Sequence, residues 1–211
     1  MKYKWELICP SSKTDERTPV IVTLHGLGSN YLNLRKLAAL YPVPVIELHI
    51  EGALVYGNGF AYYTPQALKK NEAEVIEKTA DALYTEIIRI LKENNLICES
   101  MNIIGFSQGA ILAAVLSARY PKFFDNAVLL SARLPDFLRE FGQKKLSKDK
   151  IKTACFIAQG EFDPIFPVEE GRRLRQFFSL YSCVMPEYHE YPYGHKVSRQ
   201  TLEDIYNWFL D

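Results

Sequence analysis

Gly105-Phe106-Ser107-Gln108-Gly109 stands between an apolar run, Met101 to Ile104, and a helix-forming run, Ala110 to Tyr120. A serine between two glycines, where a strand passes into a helix, is the pattern of a nucleophile elbow. The serine must hold a strained backbone, and a side chain at either flanking position would collide with a neighbouring strand or helix. So sharp a turn lifts the hydroxyl clear of the sheet and leaves it at the N-terminus of the next helix, where the dipole favours developing negative charge. The pattern therefore requires strand, turn and helix in that order, with a reactive group at the junction.

The remaining sequence supplies a sheet to carry such a turn. Runs rich in β-branched residues recur at Val20 to Leu24, Val43 to Ile50, Met101 to Ile104, Ala127 to Leu130 and Thr153 to Ala158, with a weaker sixth at Tyr188 to Tyr191. Between them, Leu32 to Leu40, Asn71 to Asn94, Gln108 to Tyr120 and Val168 to Leu180 carry helical spacing, and Ser198 to Leu210 closes the chain with another. Strand alternating with helix predicts an α/β fold with a mainly parallel central sheet and helices on both faces. Met1 to Pro10 reads as an edge strand, because its apolar stretch is short and broken by Glu6, too little for a signal peptide. No Pro/Gly/Ser-rich linker divides the 211 residues, so a single domain over 1–211 is expected. In the Asn71 to Asn94 segment, Glu and Lys form a solvated face, and Ala73, Ile76, Ala80, Leu83, Ile87, Ile90 and Leu91 a packing face.

Charge and cysteine usage narrow the partners. Lys+Arg and Asp+Glu are equal at 25 each, which points away from nucleic acid and other polyanions. No segment approaches the ~18 uninterrupted apolar residues of a membrane span, so no membrane insertion is expected. Cys9, Cys98, Cys155 and Cys183 are scattered without paired metal spacing, which predicts no metal site and fits a reducing, cytoplasmic setting.

A serine hydroxyl needs a general base, and the base needs a third group to fix its tautomer and support its cation. His25 and His49 precede the serine, and His189 sits inside the alternating Glu187 to Tyr191 run, where a strand-face role is expected. His195 follows the turn-forming Pro192-Tyr193-Gly194, beyond the last strand, so a loop delivers its ring; it is the expected base. Asp163, in the turn Gly160 to Pro164 directly after the Thr153 to Ala158 run, is the expected acid. Glu161 is its nearest rival but lies closer to the strand, and Asp125, Asp136 and Asp204 read as surface or capping groups. The order Ser107, Asp163, His195 is that of α/β-hydrolases.

An acyl-transfer site also needs donors for the oxyanion. One is the backbone N–H of Gln108, the residue after the serine. The other is expected from Leu27 N–H in His25-Gly26-Leu27-Gly28, which follows Val20 to Leu24 directly, with His25 orienting that loop by hydrogen bonds.

These pieces resemble the small phospholipase/carboxylesterase family of α/β-hydrolases, which includes bacterial carboxylesterases and acyl-protein thioesterases. The resemblance rests on HGLGSN at His25 to Asn30, GFSQG at Gly105 to Gly109, GEFDPIFP at Gly160 to Pro167 and YPYGHKVS at Tyr191 to Ser198. It implies Ser107, Asp163 and His195 as the triad and Leu27 and Gln108 as oxyanion donors, and the expected activity is that of a serine carboxylesterase on small or medium acyl esters, a small-molecule substrate, with no metal or cofactor. About twenty residues precede the strand before His25, so an edge strand usual in the larger fold is expected to be missing. A thioesterase, a lysophospholipase and a non-catalytic binding protein on the same scaffold stay open as alternatives.

Between Leu130 and Thr153 there is room for one short helix, around Leu134 to Phe141, and a lysine-rich loop, so no large cap domain is expected. The site should be covered chiefly by the Gly52 to Leu68 loop. Its Tyr56, Phe60, Tyr62 and Tyr63 either line a substrate pocket or pack the loop onto the domain. Arg133 either meets an acidic substrate group or is a solvated surface residue.

Overall fold

The apolar runs pair into one sheet in the computed structural model, which describes residues 2–11 and 14–210; Met1, the first residue of the expected edge strand, lies outside them. The strands are β1 (Lys4–Ile8), β2 (Val20–Leu24), β3 (Ile46–Glu51), a hairpin of β4 (Leu54–Tyr56) and β5 (Gly59–Ala61), β6 (Met101–Phe106), β7 (Asn126–Leu130), β8 (Ala154–Gly160) and β9 (Glu187–Tyr191). The helices are α1 (Arg35–Ala38), α2 (Pro65–Leu68), α3 (Glu72–Glu93), α4 (Gln108–Arg119), α5 (Asp136–Phe141), α6 (Val168–Tyr181) and α7 (Arg199–Leu210). Seven strands form the central sheet in the order β1-β3-β2-β6-β7-β8-β9, parallel except for the antiparallel pair β1 and β3.

Successive strand side chains point to opposite faces, so each buried run feeds two cores. Val20, Val22, Leu24, Ile103 and Leu129 join α3, α4 and α6 on one face. Ile21, Ile104, Val128 and Phe156 meet Leu34 and Leu37 of the α1 region and Ile205 of α7 on the other. Helix α4 is buried from Gln108 to Ala118, an apolar helix enclosed on every side. Helix α3 buries the expected stripe from Ile76 to Leu91, though Ala73 is only half-buried. Its start is fixed by Asn71, whose side chain accepts the Glu74 N–H at 3.1 Å.

Two elements differ from their sequence expectation for local reasons. The run from Val43 becomes a strand only at Ile46, because Pro42 and Pro44 have no N–H to give the ladder. The Leu32 to Leu40 segment closes mostly as a series of three-residue turns, with N–H groups of Asn33, Arg35, Leu37, Leu40 and Tyr41 each bonded three residues back. Asn30 diverts the Leu32 N–H to its own side chain at 3.0 Å, which competes with the helical pattern, and only Arg35–Ala38 is α-helical. Between β7 and β8 stand α5 and a wide π-type turn over Gly142–Leu146, with no cap among the described residues.

The sheet register sets up the elbow. Leu24 on β2 lies opposite Gly105 on β6, so the end of β2 runs under the first turn of α4. A Cβ on Gly109 would stand 1.9 Å from the Leu24 carbonyl oxygen, whereas one on Gly57, at the hairpin tip with φ 58°, would meet nothing within 4 Å. Gly109→Ala is therefore expected to lose about 3 kcal/mol or more of unfolding free energy by overpacking. Gly57→Ala is expected to lose only the left-handed backbone penalty of about 1–2 kcal/mol. Urea unfolding of both variants checks this ranking.

Candidate active site

Leaving β6, Ser107 adopts φ 53° and ψ −116°, a conformation that costs a residue with a side chain about 1–3 kcal/mol. The surroundings hold it there. Ser107 N–H donates to the Leu130 carbonyl at 2.9 Å, and Ile111 N–H donates to the Ser107 carbonyl at 3.0 Å. The loops after β8 and β9 are joined in the same way: Glu161 N–H donates to Tyr191 O at 2.8 Å and Phe162 N–H to Tyr193 O at 3.0 Å. These bonds bring the turn bearing Asp163 beside the loop bearing His195.

The three side chains meet. His195 Nε2 lies 2.9 Å from Ser107 Oγ, and its Nδ1 lies 2.7 Å from Asp163 Oδ2. A carboxylate only accepts, so Nδ1 carries the proton and the Nε2 lone pair faces the serine hydroxyl. Asp163 is buried and held by backbone: its Oδ1 accepts the N–H groups of Ile165 and Phe166 at 2.8 and 2.9 Å. Gln159 ties the same turn by donating to Phe166 O at 2.6 Å. The imidazole sits between the rings of Phe106 and Phe166, with centroids 4.9 and 5.7 Å away. Beside it opens a cavity of about 370 Å³ walled by Phe106, Leu34, Leu37, Val197 and Leu202.

The Gly26 to Ser29 loop lies against the serine, a Cβ on Gly26 standing 3.4 Å from Ser107 Cβ. Among the described residues, neither the Leu27 nor the Gln108 N–H has a hydrogen-bond acceptor. The loop is pinned by the β4–β5 hairpin, since Gly28 N–H donates to Phe60 O at 2.8 Å and Phe60 N–H to Ser29 O at 2.7 Å. The approach is close enough that a Cβ on Gly59 would stand 2.3 Å from Gly28 O. His25 holds the start of the loop: Nδ1–H donates to Gly26 O at 2.7 Å, which leaves Nε2 to accept the Gly52 N–H at 2.9 Å. Burial pushes the His25 pKa down, and this pair of bonds requires the neutral ring.

Sequence reasoning missed the side chain of Gln108. Its Oε1 accepts the Tyr62 N–H and its Nε2 donates to Tyr63 O, both at 2.8 Å, so the residue after the serine also fastens the covering segment. Its partners are backbone atoms, which no residue pattern announces. Of the two roles open to the aromatic residues of this segment, Tyr62 and Tyr63 take the packing one in this structure. Tyr62 is sealed, receiving the His25 N–H at 3.1 Å and donating to Ile50 O at 2.7 Å, and Tyr63 is 4% exposed. Tyr56 and Phe60 are half-buried beside the Leu27 loop, and the Tyr56 ring comes within 3.8 Å of a Cβ position on Gly28. Glu161 is exposed, and Arg133 is neither free nor solvated, being paired with Glu72. His49 is enclosed between Thr23 and Glu47, and His189 pairs with Glu187 on β9.

The Phospholipase/Carboxylesterase family profile matches residues 8–210. The chain belongs to this family. It is 28% identical to acyl-protein thioesterase 1 of Saccharomyces cerevisiae over 92% of this chain and 93% of that protein. The fold resembles the Bacillus cereus carboxylesterase at a TM-score of 0.81 and 22% identity, covering 98% of this chain and 93% of that one. It also resembles Zea mays acyl-protein thioesterase 2 at a TM-score of 0.70 and 16% identity, covering 98% and 97%. The chain is thus a hydrolase of this family with the α/β-hydrolase fold, and no described helix is long and apolar enough to cross a membrane.

The neutral state of His25 has a consequence for stability. Its folded pKa is lowered from an ordinary 6.5, and that of His49 is lowered by burial as well. The unfolded chain therefore binds more protons below that value, and stability falls as pH drops through 6.5. Urea midpoints between neutral pH and pH ~5 are expected to decline, and His25→Asn should flatten part of that decline. An identical slope in the variant would contradict the role given to the neutral ring.

Proposed function

We propose that this hydrolase is a serine carboxylesterase acting on small or medium acyl esters through an acyl-enzyme on Ser107. The observation that carries the reading is the continuous bonding from Asp163 through His195 to the strained Ser107 hydroxyl, at 2.7 and 2.9 Å. Ser107 Oγ attacks the ester carbonyl as its proton passes to His195 Nε2, and Asp163 stabilises the imidazolium. The N–H groups of Leu27 and Gln108 receive the oxyanion. His195 then protonates the departing alcohol, and a water activated by the same nitrogen releases the acid and restores the serine.

Tyr56 and Phe60 border the acyl side beside the Leu27 loop, while Tyr62 and Tyr63 act as its buried support. A thioester is the second substrate class, supported by the likeness to the yeast acyl-protein thioesterase over nearly the whole length of both chains. The reading needs no metal or cofactor, since base, acid and oxyanion donors are all protein groups. A cytoplasmic setting accords with four cysteines that are all free.

Ser107→Ala should lower kcat on a short-chain ester by orders of magnitude, up to ~10⁶, while leaving the urea midpoint close to wild type. A fluorophosphonate probe should label the wild-type chain at Ser107 and not the variant. A folded wild-type chain that neither labels nor turns over esters would support the binding-protein alternative.

A further inference from the structure

The four substituents of a tetrahedral intermediate on Ser107 point in fixed directions. The oxyanion turns to Leu27 and Gln108 N–H, and the leaving oxygen or sulfur must come within reach of His195 Nε2, which holds its proton. The acyl chain takes the direction that remains. The cavity of about 370 Å³ has His195 and Phe106 in its wall, but neither Ser107 nor the two oxyanion residues. Of the triad, then, it is His195, the residue that must protonate the leaving group, that the cavity wall includes.

Its lining is apolar near the ring and one-sided in charge. Besides the hydrophobic walls it contains Asn33, Lys36 and Lys196, and no carboxylate. The two lysines come from separate elements, Lys36 from α1 and Lys196 from the loop after β9, and converge on one opening. Both are exposed, and among the described residues neither forms an ion pair, a state they share with most lysines of the chain; what sets them apart is that both line this cavity. Nearby Arg35 and Arg199 are committed to Glu6 and Glu203. In a chain with equal numbers of acidic and basic residues, two cations without a carboxylate partner thus line one cavity beside His195.

We propose that this cavity selects an anionic leaving group: an alcohol or thiol carrying a carboxylate or a phosphate, with its charge met by Lys36 and Lys196. Its stem lies against Leu34, Leu37 and Val197. The proposal rests on the hydrolase reading and adds the substrate class to it. Lysines remote from the carbonyl bind ground state and transition state alike, so their contribution appears in KM more than in kcat. Exposed charges are screened over about 10 Å at 0.1 M salt, so the preference weakens as ionic strength rises.

The test uses the full chain and three butyryl esters that share the acyl group. Their leaving groups are methyl 4-hydroxybenzoate, 4-hydroxybenzoate and 4-hydroxyphenyl phosphate: neutral, carboxylate and phosphate. The readout is the ratio of kcat/KM for each anionic ester to that for the neutral one, which removes any general loss of activity. In the Lys36→Met/Lys196→Met double variant at low salt the ratio should fall about tenfold, chiefly through KM. High salt should reduce the wild-type ratio in the same direction, and the ester with the larger fall identifies the preferred anion. Ratios unchanged in a double variant that still hydrolyses the neutral ester would overturn the anion site and leave the hydrolase reading standing. Absence of turnover on all three esters, with no fluorophosphonate labelling of Ser107, would remove the hydrolase reading and this proposal together.

Discussion

The contact between the end of β2 and the first turn of α4 governs the rest of the site. Gly109 passes so near the Leu24 carbonyl that no Cβ fits, and Gly105 is confined too, its Cβ position being 2.5 Å from Ala110 Cα. That approach lets the chain turn from strand to helix within one residue, at the expense of strain in Ser107. The strain is local, while the framework opposing it is spread over a helix buried from Gln108 to Ala118 and over parallel strands on both sides. Relaxing the serine would disturb many packed side chains, so the hydroxyl stays raised toward His195.

A second dependency runs through the loop before α1. The free N–H of Leu27 points usefully only if its loop keeps its shape, and that shape is fixed from three directions. His25 links it to Gly52, Phe60 bonds both Gly28 and Ser29, and Gln108 holds Tyr62 and Tyr63 behind it. Gln108 thus offers a backbone donor at the serine while its side chain secures the wall beyond. The contrast between His25 and His195 follows from position. One ring is buried between fixed backbone partners and stays neutral; the other lies on a loop facing a cavity, with a carboxylate behind it and a hydroxyl in front.

Much of this was legible in the residues because the chemistry imposes spacing. Gly-x-Ser-x-Gly between an apolar run and a helix, and polar groups just beyond apolar runs, mark turns at the carboxyl edge of a parallel sheet, and Ser107, Asp163 and His195 meet there. What escaped the sequence is what depends on partners distant along the chain. The aromatic Gly52 to Leu68 segment gave no sign that Tyr62 would be a sealed strut while Tyr56 stayed half-exposed. Nor could spacing reveal that Asn30 would divert the Leu32 N–H and shorten the helix expected there. Arg133 looked free until folding set Glu72 beside it.

The proposed mechanism rests on Ser107 as the nucleophile and on Leu27 and Gln108 as the two donors to the oxyanion. A crystal structure of the chain after reaction with a small alkyl phosphonate examines both roles at once, because the adduct mimics the tetrahedral intermediate. A covalent bond from phosphorus to Ser107 Oγ is expected, with the phosphoryl oxygen about 2.7–3.1 Å from both backbone nitrogens. A phosphoryl oxygen directed away from both N–H groups, or an adduct on another residue, would contradict the mechanism.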